Sequence, residues 1–268
     1  MTTNEKTKTV SAEDLRKRSV LAFAVFVSLF AFAIAGFVFI RNTETINGLS
    51  KPLRHVLDFN AAVGERLVGP ERIDRAKFPA PARNKPRVNG LVGLSEPIDI
   101  SKWSLQVVSQ STVQTKSGLT LTLDQIHSLP RTEVTVEFKC IEGWSEVMSF
   151  GGVRFTDFMR AHRLGTKSGD EPDWNKRPDD LYRYVGLETP DGEYYVSIDM
   201  KSLLNSQTLL AFEQNGAPLS QQNGAPLRLY VPNKYGVKSL KRIGKITFTD
   251  QRPADYWEED GYDWFIGL

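Results

Sequence analysis

The longest pattern in the chain is a stretch with no alternation at all. From Ser19 to Ile40 it reads SVLAFAVFVSLFAFAIAGFVFI, 22 residues without a charge. As a helix this spans ~33 Å, enough to cross a hydrocarbon core of roughly 30 Å, and it predicts a transmembrane segment. A buried core helix is the weaker reading for so long a run, apolar all round. Beyond it, Leu53, Val56, Leu57 and Ala61 recur at helical spacing. They predict a short helical stalk within a juxtamembrane connector, residues 41–86, which the prolines of FPAPARNKP then break.

From Arg87 to the C-terminus the pattern becomes mixed. WSLQVVS, LTLTL, RTEVTVEFKC, SFGGVRF, TLLAFEQ, LRLYVP and KITFTD read as strands. DQIHSL and TDFMRAHRLG read as short helices, the second with Thr156 as N-cap and Gly165 as stop. YRYVGLETPDGEYYVSID predicts a hairpin closed at Pro-Asp-Gly. The polar stretch 165–180 predicts an exposed loop, placed to shape a substrate opening. NGAPL occurs at 215–219 and again at 223–227, too short a period for a solenoid, and predicts two tight turns. The expected fold class is α+β, mixed sheets with short helices, behind one N-terminal membrane helix.

Charge adds orientation. Lys6, Lys8, Arg16, Lys17 and Arg18 precede the apolar run, whereas Arg41, Lys51 and Arg54 follow it more sparsely. This asymmetry predicts a cytoplasmic tail, residues 1–18, and a large C-terminal part on the periplasmic side of a bacterial inner membrane. Ala33-Ile34-Ala35 could serve as a cleavage site, but the apolar run continues through GFVFI, which favours an uncleaved anchor at 19–40.

Composition removes several chemistries. A net charge of +2 gives no bulk attraction for nucleic acid. One cysteine excludes an intrachain disulfide, paired-thiol metal motifs and haem attachment by C-x-x-C-H. Three histidines, His55, His127 and His162, are too widely spread to suggest a zinc cluster.

That cysteine, Cys140, stands where an alternating strand ends, on the face of Val134, Val136 and Phe138. Alone it fits packing, since free Cys behaves as a small hydrophobe. Its neighbours alter that. Glu142 would share its face if the strand continued, Gly143 permits an unusual turn and Trp144 could wall a pocket.

Three ordered segments, FKCIEGWSEVMSFGGV, NGAPLRLYVPNKYGVKSLKRIGKI and DYWEEDGYDW, resemble the molybdopterin-binding domain of oxidoreductases of the sulfite-oxidase fold. The likeness runs from about residue 87 to the end. Within the family it is nearest to the bacterial periplasmic branch that includes the methionine sulfoxide reductase catalytic subunit. The resemblance implies a molybdenum-molybdopterin cofactor with Cys140 as metal ligand. A thiolate suits such a soft centre. It also implies cofactor contacts from Asn89, Thr189, Asn223, Arg228, Ser239, Leu240 and Lys241. Arg and Lys suit a phosphate as forked donor and point charge. Each has an ordinary alternative: strand-edge charge for Arg228 and Lys241, turn residue for Asn223 and Thr189. Glu142 would either relay protons or hold hydrogen bonds around the metal site.

The sequence also departs from the pattern. Sulfite oxidases follow their cysteine with an arginine-bearing stretch that binds the anionic substrate. Glu142, Gly143, Trp144 and Ser145 stand there instead. Asn205 replaces a histidine of relatives, their C-terminal dimerisation domain has no counterpart, and the RKRS at 16–19 is a poor twin-arginine signal. The expected activity is two-electron oxygen-atom transfer, reducing a small S-oxide or N-oxide. Oxidation of a sulfite-like substrate and a cofactor-free, membrane-tethered binding domain are the alternatives. With no haem motif, electrons would come from a separate partner, a membrane redox protein near the anchor.

Overall fold

The structure, a computed structural model, describes residues 11–67, 78–79, 86–110 and 118–268. The basic residues Lys6 and Lys8 and most of FPAPARNKP lie outside the described residues. The chain divides into two compact units, Met1–His55 and Val56–Leu268.

The first unit holds α1 (Ala12–Arg41), a helix of 30 residues that extends past both ends of the expected span. Ser11 caps it, its side chain accepting from the Asp14 backbone N–H. It is long and apolar enough to cross a membrane. A small hairpin follows, β1 (Thr45–Ile46) with β2 (Leu49–Ser50), turning at Asn47-Gly48 with φ 45° and 72°. Asn-Gly is the preferred pair for that turn, yet strands of two residues leave almost no periodicity to read. The stalk helix forms as α2 (Lys51–Leu67).

The second unit is built on two five-stranded sheets. Its elements are β3 (Leu105–Gln110), β4 (Leu119–Leu121), α3 (Leu123–His127), β5 (Arg131–Lys139), β6 (Ser145–Arg154), α4 (Phe155–His162), β7 (Tyr184–Glu188), β8 (Tyr195–Asp199), α5 (Met200–Leu203), β9 (Leu209–Gln214), β10 (Ala217–Pro218), β11 (Arg228–Tyr230), β12 (Lys245–Thr249) and α6 (Tyr256–Glu259). One sheet has the order β4-β3-β12-β7-β8, antiparallel except for the parallel β3–β12 pair. The other runs β10-β9-β6-β5, with β11 also paired to β9. The α+β expectation holds.

The main core gathers Leu105, Val107, Val185, Leu187, Ile246 and Phe248 from one sheet with Phe155, Phe158 and Met159 of α4. A second cluster, Val136, Met148, Phe150, Leu209, Ala211 and Tyr230, covers another part of the β5–β6–β9–β11 sheet. Phe138 and Trp144 pack on it at the end where the site lies. Between Gly151 and Gly152 the β6–β9 register shifts. A Cβ on Gly152 would come within 2.2 Å of the Leu210 carbonyl oxygen, so this close approach requires glycine.

Several local expectations change. α4 begins at Phe155 after Arg154, so Thr156 lies buried inside the first turn and caps nothing. The carbonyl of Thr208 accepts the Phe155 N–H at 3.0 Å and satisfies that end. The helix stops at Arg163 in the left-handed region, before Gly165. The first NGAPL is the expected hairpin turn, Asn215-Gly216, between β9 and β10. The second is not a hairpin. It is a turn of 3-10 helix, Gln221–Asn223, followed by Gly224 at φ 100° and a cis Ala225-Pro226 bond. The segment 165–180 is largely exposed, but Trp174 lies under the Arg160 guanidinium at 4.2 Å and Thr166 bridges to Leu181.

Candidate functional site

Strand β5 ends at Lys139, and Cys140 to Gly143 form the turn into β6: the Gly143 N–H donates to Cys140 O at 3.1 Å and the Cys140 N–H to Trp144 O at 2.9 Å. The strand therefore does not continue to Glu142. The carboxylate instead projects from the turn, exposed, and accepts from Asn89 Nδ2 at 3.0 Å and Trp144 Nε1 at 3.2 Å. The same Asn89 Nδ2 lies 3.7 Å from Cys140 Sγ. Asn89, 51 positions from the cysteine in sequence, is thus the amide that links sulfur to carboxylate. These bonds, Asn89's first, hold the Glu142 carboxyl below the usual carboxylate range.

Cys140 is buried and free, and its sulfur faces a cavity of about 200 Å³. Asn89, Glu142, Arg228, Ser239 and Lys241 line the same cavity. The remaining sequence-derived candidates do not. Asn223 supplies its backbone carbonyl, which accepts from Arg228 Nη1 at 3.1 Å. Leu240 is a core residue whose carbonyl accepts from the Leu229 N–H. Thr189 sits in the β7–β8 turn, its hydroxyl bonded to Asp191 and Tyr194. Asn205 and the loop 165–180 contribute no lining residue, so that loop does not shape this opening.

The second NGAPL builds the cation side. Gly224 adopts φ 100°, and a Cβ there would meet Lys241 Cβ at 2.7 Å and the Arg242 N at 2.9 Å. Only glycine lets the motif lie against the 239–242 segment. Arg228, on β11, is 3% exposed and lies over the Phe150 ring at 5.2 Å. Lys241 Nζ reaches the carbonyls of Asn89 at 2.5 Å, Gly90 at 3.2 Å and Gln222 at 3.3 Å.

Charge is the unusual feature. Among the described residues, no carboxylate lies within ion-pair distance of Arg228 or Lys241. Burial alone pushes Arg228 down to about 10. Burial and then Arg228 push Lys241 down to about 7, with the Cys140 sulfur pulling the other way. Arg228 Nε is buried with no partner, and so is Gln214 Oε1, another lining atom. Buried cations and orphaned polar atoms are costly unless something completes them. An anionic group with hydrogen-bonding edges, held beside a thiol, is what this donor set fits.

Much of the remaining lining is aromatic: Trp144, Tyr194, Trp257 and Tyr262. Tyr194 donates to Val237 O at 2.7 Å and accepts from Trp257 Nε1 at 3.0 Å. Burial pushes its phenol well up, so it stays protonated. Trp257 and Tyr262 stand in the DYWEEDGYDW segment, which marked the family without assigning them a place. Gln214, Tyr194 and Arg87 carried no signal beyond their position in strands and loops.

Residues 93–257 match the family described as the oxidoreductase molybdopterin-binding domain. A putative protein-methionine-sulfoxide reductase subunit of Azospira oryzae is 36% identical over 146 residues, covering 54% of this chain and 50% of that protein. A protein-methionine-sulfoxide reductase catalytic subunit of Xanthomonas campestris pv. campestris is 33% identical over 170 residues, covering 60% and 49%. The chain therefore spans about half the length of these curated relatives. Among solved structures, the sulfane dehydrogenase SoxCD of Paracoccus pantotrophus aligns with a TM-score of 0.47 at 19% identity, over 59% of this chain and 41% of that one.

Proposed function

The chain belongs to the molybdopterin-binding oxidoreductase family, and on that premise we propose that its cavity holds molybdenum-molybdopterin and reduces an S-oxide or N-oxide. One observation carries this: buried Arg228 and half-buried Lys241 lie together in the cavity of the chain's one cysteine, with no carboxylate within ion-pair distance of either among the described residues. A phosphate on the pterin would complete both cations. Cys140 would supply its thiolate to the metal, and Ser239 and the Asn223 carbonyl hold the cation side in place.

When bound, the cofactor supplies the two-electron chemistry of oxygen-atom transfer. The protein's own groups position and shield. Asn89 donates toward the cysteine sulfur, and Glu142, kept ionised, fixes the Asn89 amide. An ionised acceptor is a poor proton donor at neutral pH, so Glu142 orients rather than relays. Val92, Trp144 and Trp257 give much of the cavity lining an apolar character. Such a lining suits a neutral oxide better than a sulfite-like anion, and the names of the relatives point the same way. Electrons would come from a separate redox partner in the membrane that α1 anchors, with the second unit on the periplasmic side.

Molybdenum and pterin content tests this, on the full chain produced in a molybdopterin-making host beside Cys140→Ser. Near-stoichiometric metal in the wild type, with turnover lost at least ~100-fold in the variant while its fold is kept, is the expected result. Folded wild-type protein without pterin would overturn the oxidoreductase reading and favour a tethered binding domain.

A further inference from the structure

Helix α2 has two faces of different character. One is turned inward: Ala61 is buried against Trp264 and Phe265, Asp58 pairs with Arg252 at 3.2 Å, and a Cβ on Gly64 would meet the Phe265 ring at 2.6 Å. The other carries Val56, Phe59, Val63 and Leu67, spaced three and four apart, and all four are exposed: 55%, 68%, 36% and 78%. Such spacing places them in one stripe along the helix. Asn60 borders it on one side, and Arg66 and His55 on the other. The amphipathicity is thus inverted on this side, with the apolar stripe facing out.

We propose that this stripe lies in the surface of the lipid bilayer, as an interfacial helix that holds the second unit against the membrane. This rests on the anchored reading proposed above. Two observations select lipid over a protein partner. Residues 42–50, partly folded into the β1–β2 hairpin, are all that separates α2 from α1. Even fully extended they reach at most ~30 Å, so the start of α2 cannot leave the vicinity of the bilayer. The second is charge. Both acids of α2, Asp58 and Glu65, are half-buried on the inward side, whereas the exposed charges, Lys51 and Arg66, are basic. Among the described residues, Lys51 has one acidic partner, Glu44 at 3.9 Å. An apolar stripe flanked by basic side chains matches the boundary between acyl chains and anionic headgroups.

The test uses the full chain in vesicles of phosphatidylcholine and phosphatidylglycerol, with photoreactive benzoylphenylalanine at Phe59 in the stripe or at Ala62 on the polar side. After irradiation, phospholipid adducts should form roughly tenfold more at position 59 than at 62. Equal labelling, or adducts at 59 to a second copy or another protein, would overturn the docking. Alkaline carbonate extraction of the same vesicles separates the two readings. Protein that stays with lipid but lacks the adduct keeps the anchor and loses the docking. Protein that is extracted loses both.

Discussion

Two pairs of cations, all buried but for half-buried Lys241, lie within fifteen residues of each other in sequence, and they mean opposite things. Lys234 and Lys238 each meet a buried carboxylate: Lys234 pairs with Asp199 at 3.1 Å, and Lys238 pairs with Asp255. Lys238 also donates to Ser197 O, and Lys234 to Phe265 O at 2.9 Å. Burial lowers both lysines, Lys234 to about 8, but Asp199 and Asp255 pull them back. Arg228 is buried as well and Lys241 half-buried, and among the described residues they meet carbonyls and rings but no carboxylate. A buried charge is structural when its counter-charge belongs to the chain, and points to a ligand when it does not. The first pair ties the 234–241 segment to α6 through Asp255, which caps that helix. The second waits for a partner from outside.

The largest test of this contrast is Arg228→Met. Pterin retention should fall at least ~100-fold, while the cofactor-free protein keeps or gains thermal stability, because an uncompensated buried charge has gone. A loss of stability in the cofactor-free form would erase the distinction. Lys238→Met should behave inversely. It leaves Asp255 buried without its counter-charge, costing about 3–5 kcal/mol by denaturant unfolding. Lys238→Met/Asp255→Asn, which removes the charge but keeps an acceptor for the Ser197 and Glu258 N–H groups, should recover part of it.

A smaller effect follows from Lys241. Its folded value, about 7, lies below the 10.5 of the free side chain. Between those values the unfolded chain binds more protons, so the stability of the cofactor-free protein rises with pH through that window. Below about 7 both states are protonated and the full cost of burial stands. Lys241→Met should flatten the rise in melting temperature between pH 7 and 10, and bound cofactor should flatten it too. The smallest effect is Glu142→Gln. An orienting acceptor predicts a few-fold loss of kcat, full molybdenum content and no shift of the pH profile. A shifted profile would restore the relay.

Much of the fold was legible because strands such as β5 and β12 keep strict alternation, and the apolar run of α1 admits few readings. The site was legible in its chemistry and less so in its geometry. Cys140, Arg228 and Lys241 could be named from motif order, yet nothing local says that Asn89 reaches the sulfur. Thr189 and Leu240 lie near the right segments but are used by a turn and by the core. Glu142 was misplaced because period two was carried past the end of β5 at Lys139, into a turn that Gly143 makes possible at φ 87°. Thr156 failed as a cap because Thr208, distant in sequence, already serves that helix end. Contacts between remote segments leave no periodic trace.

The Lys241 tie to the Asn89 carbonyl joins positions 152 residues apart. Such a closure is among the last contacts a chain can make, since both ends of the domain must exist before they meet. A ribosome-bound or truncated chain therefore has no finished cavity, however well its sheets have formed. Any ligand that needs both cations and the sulfur together would have to wait for the finished, folded domain.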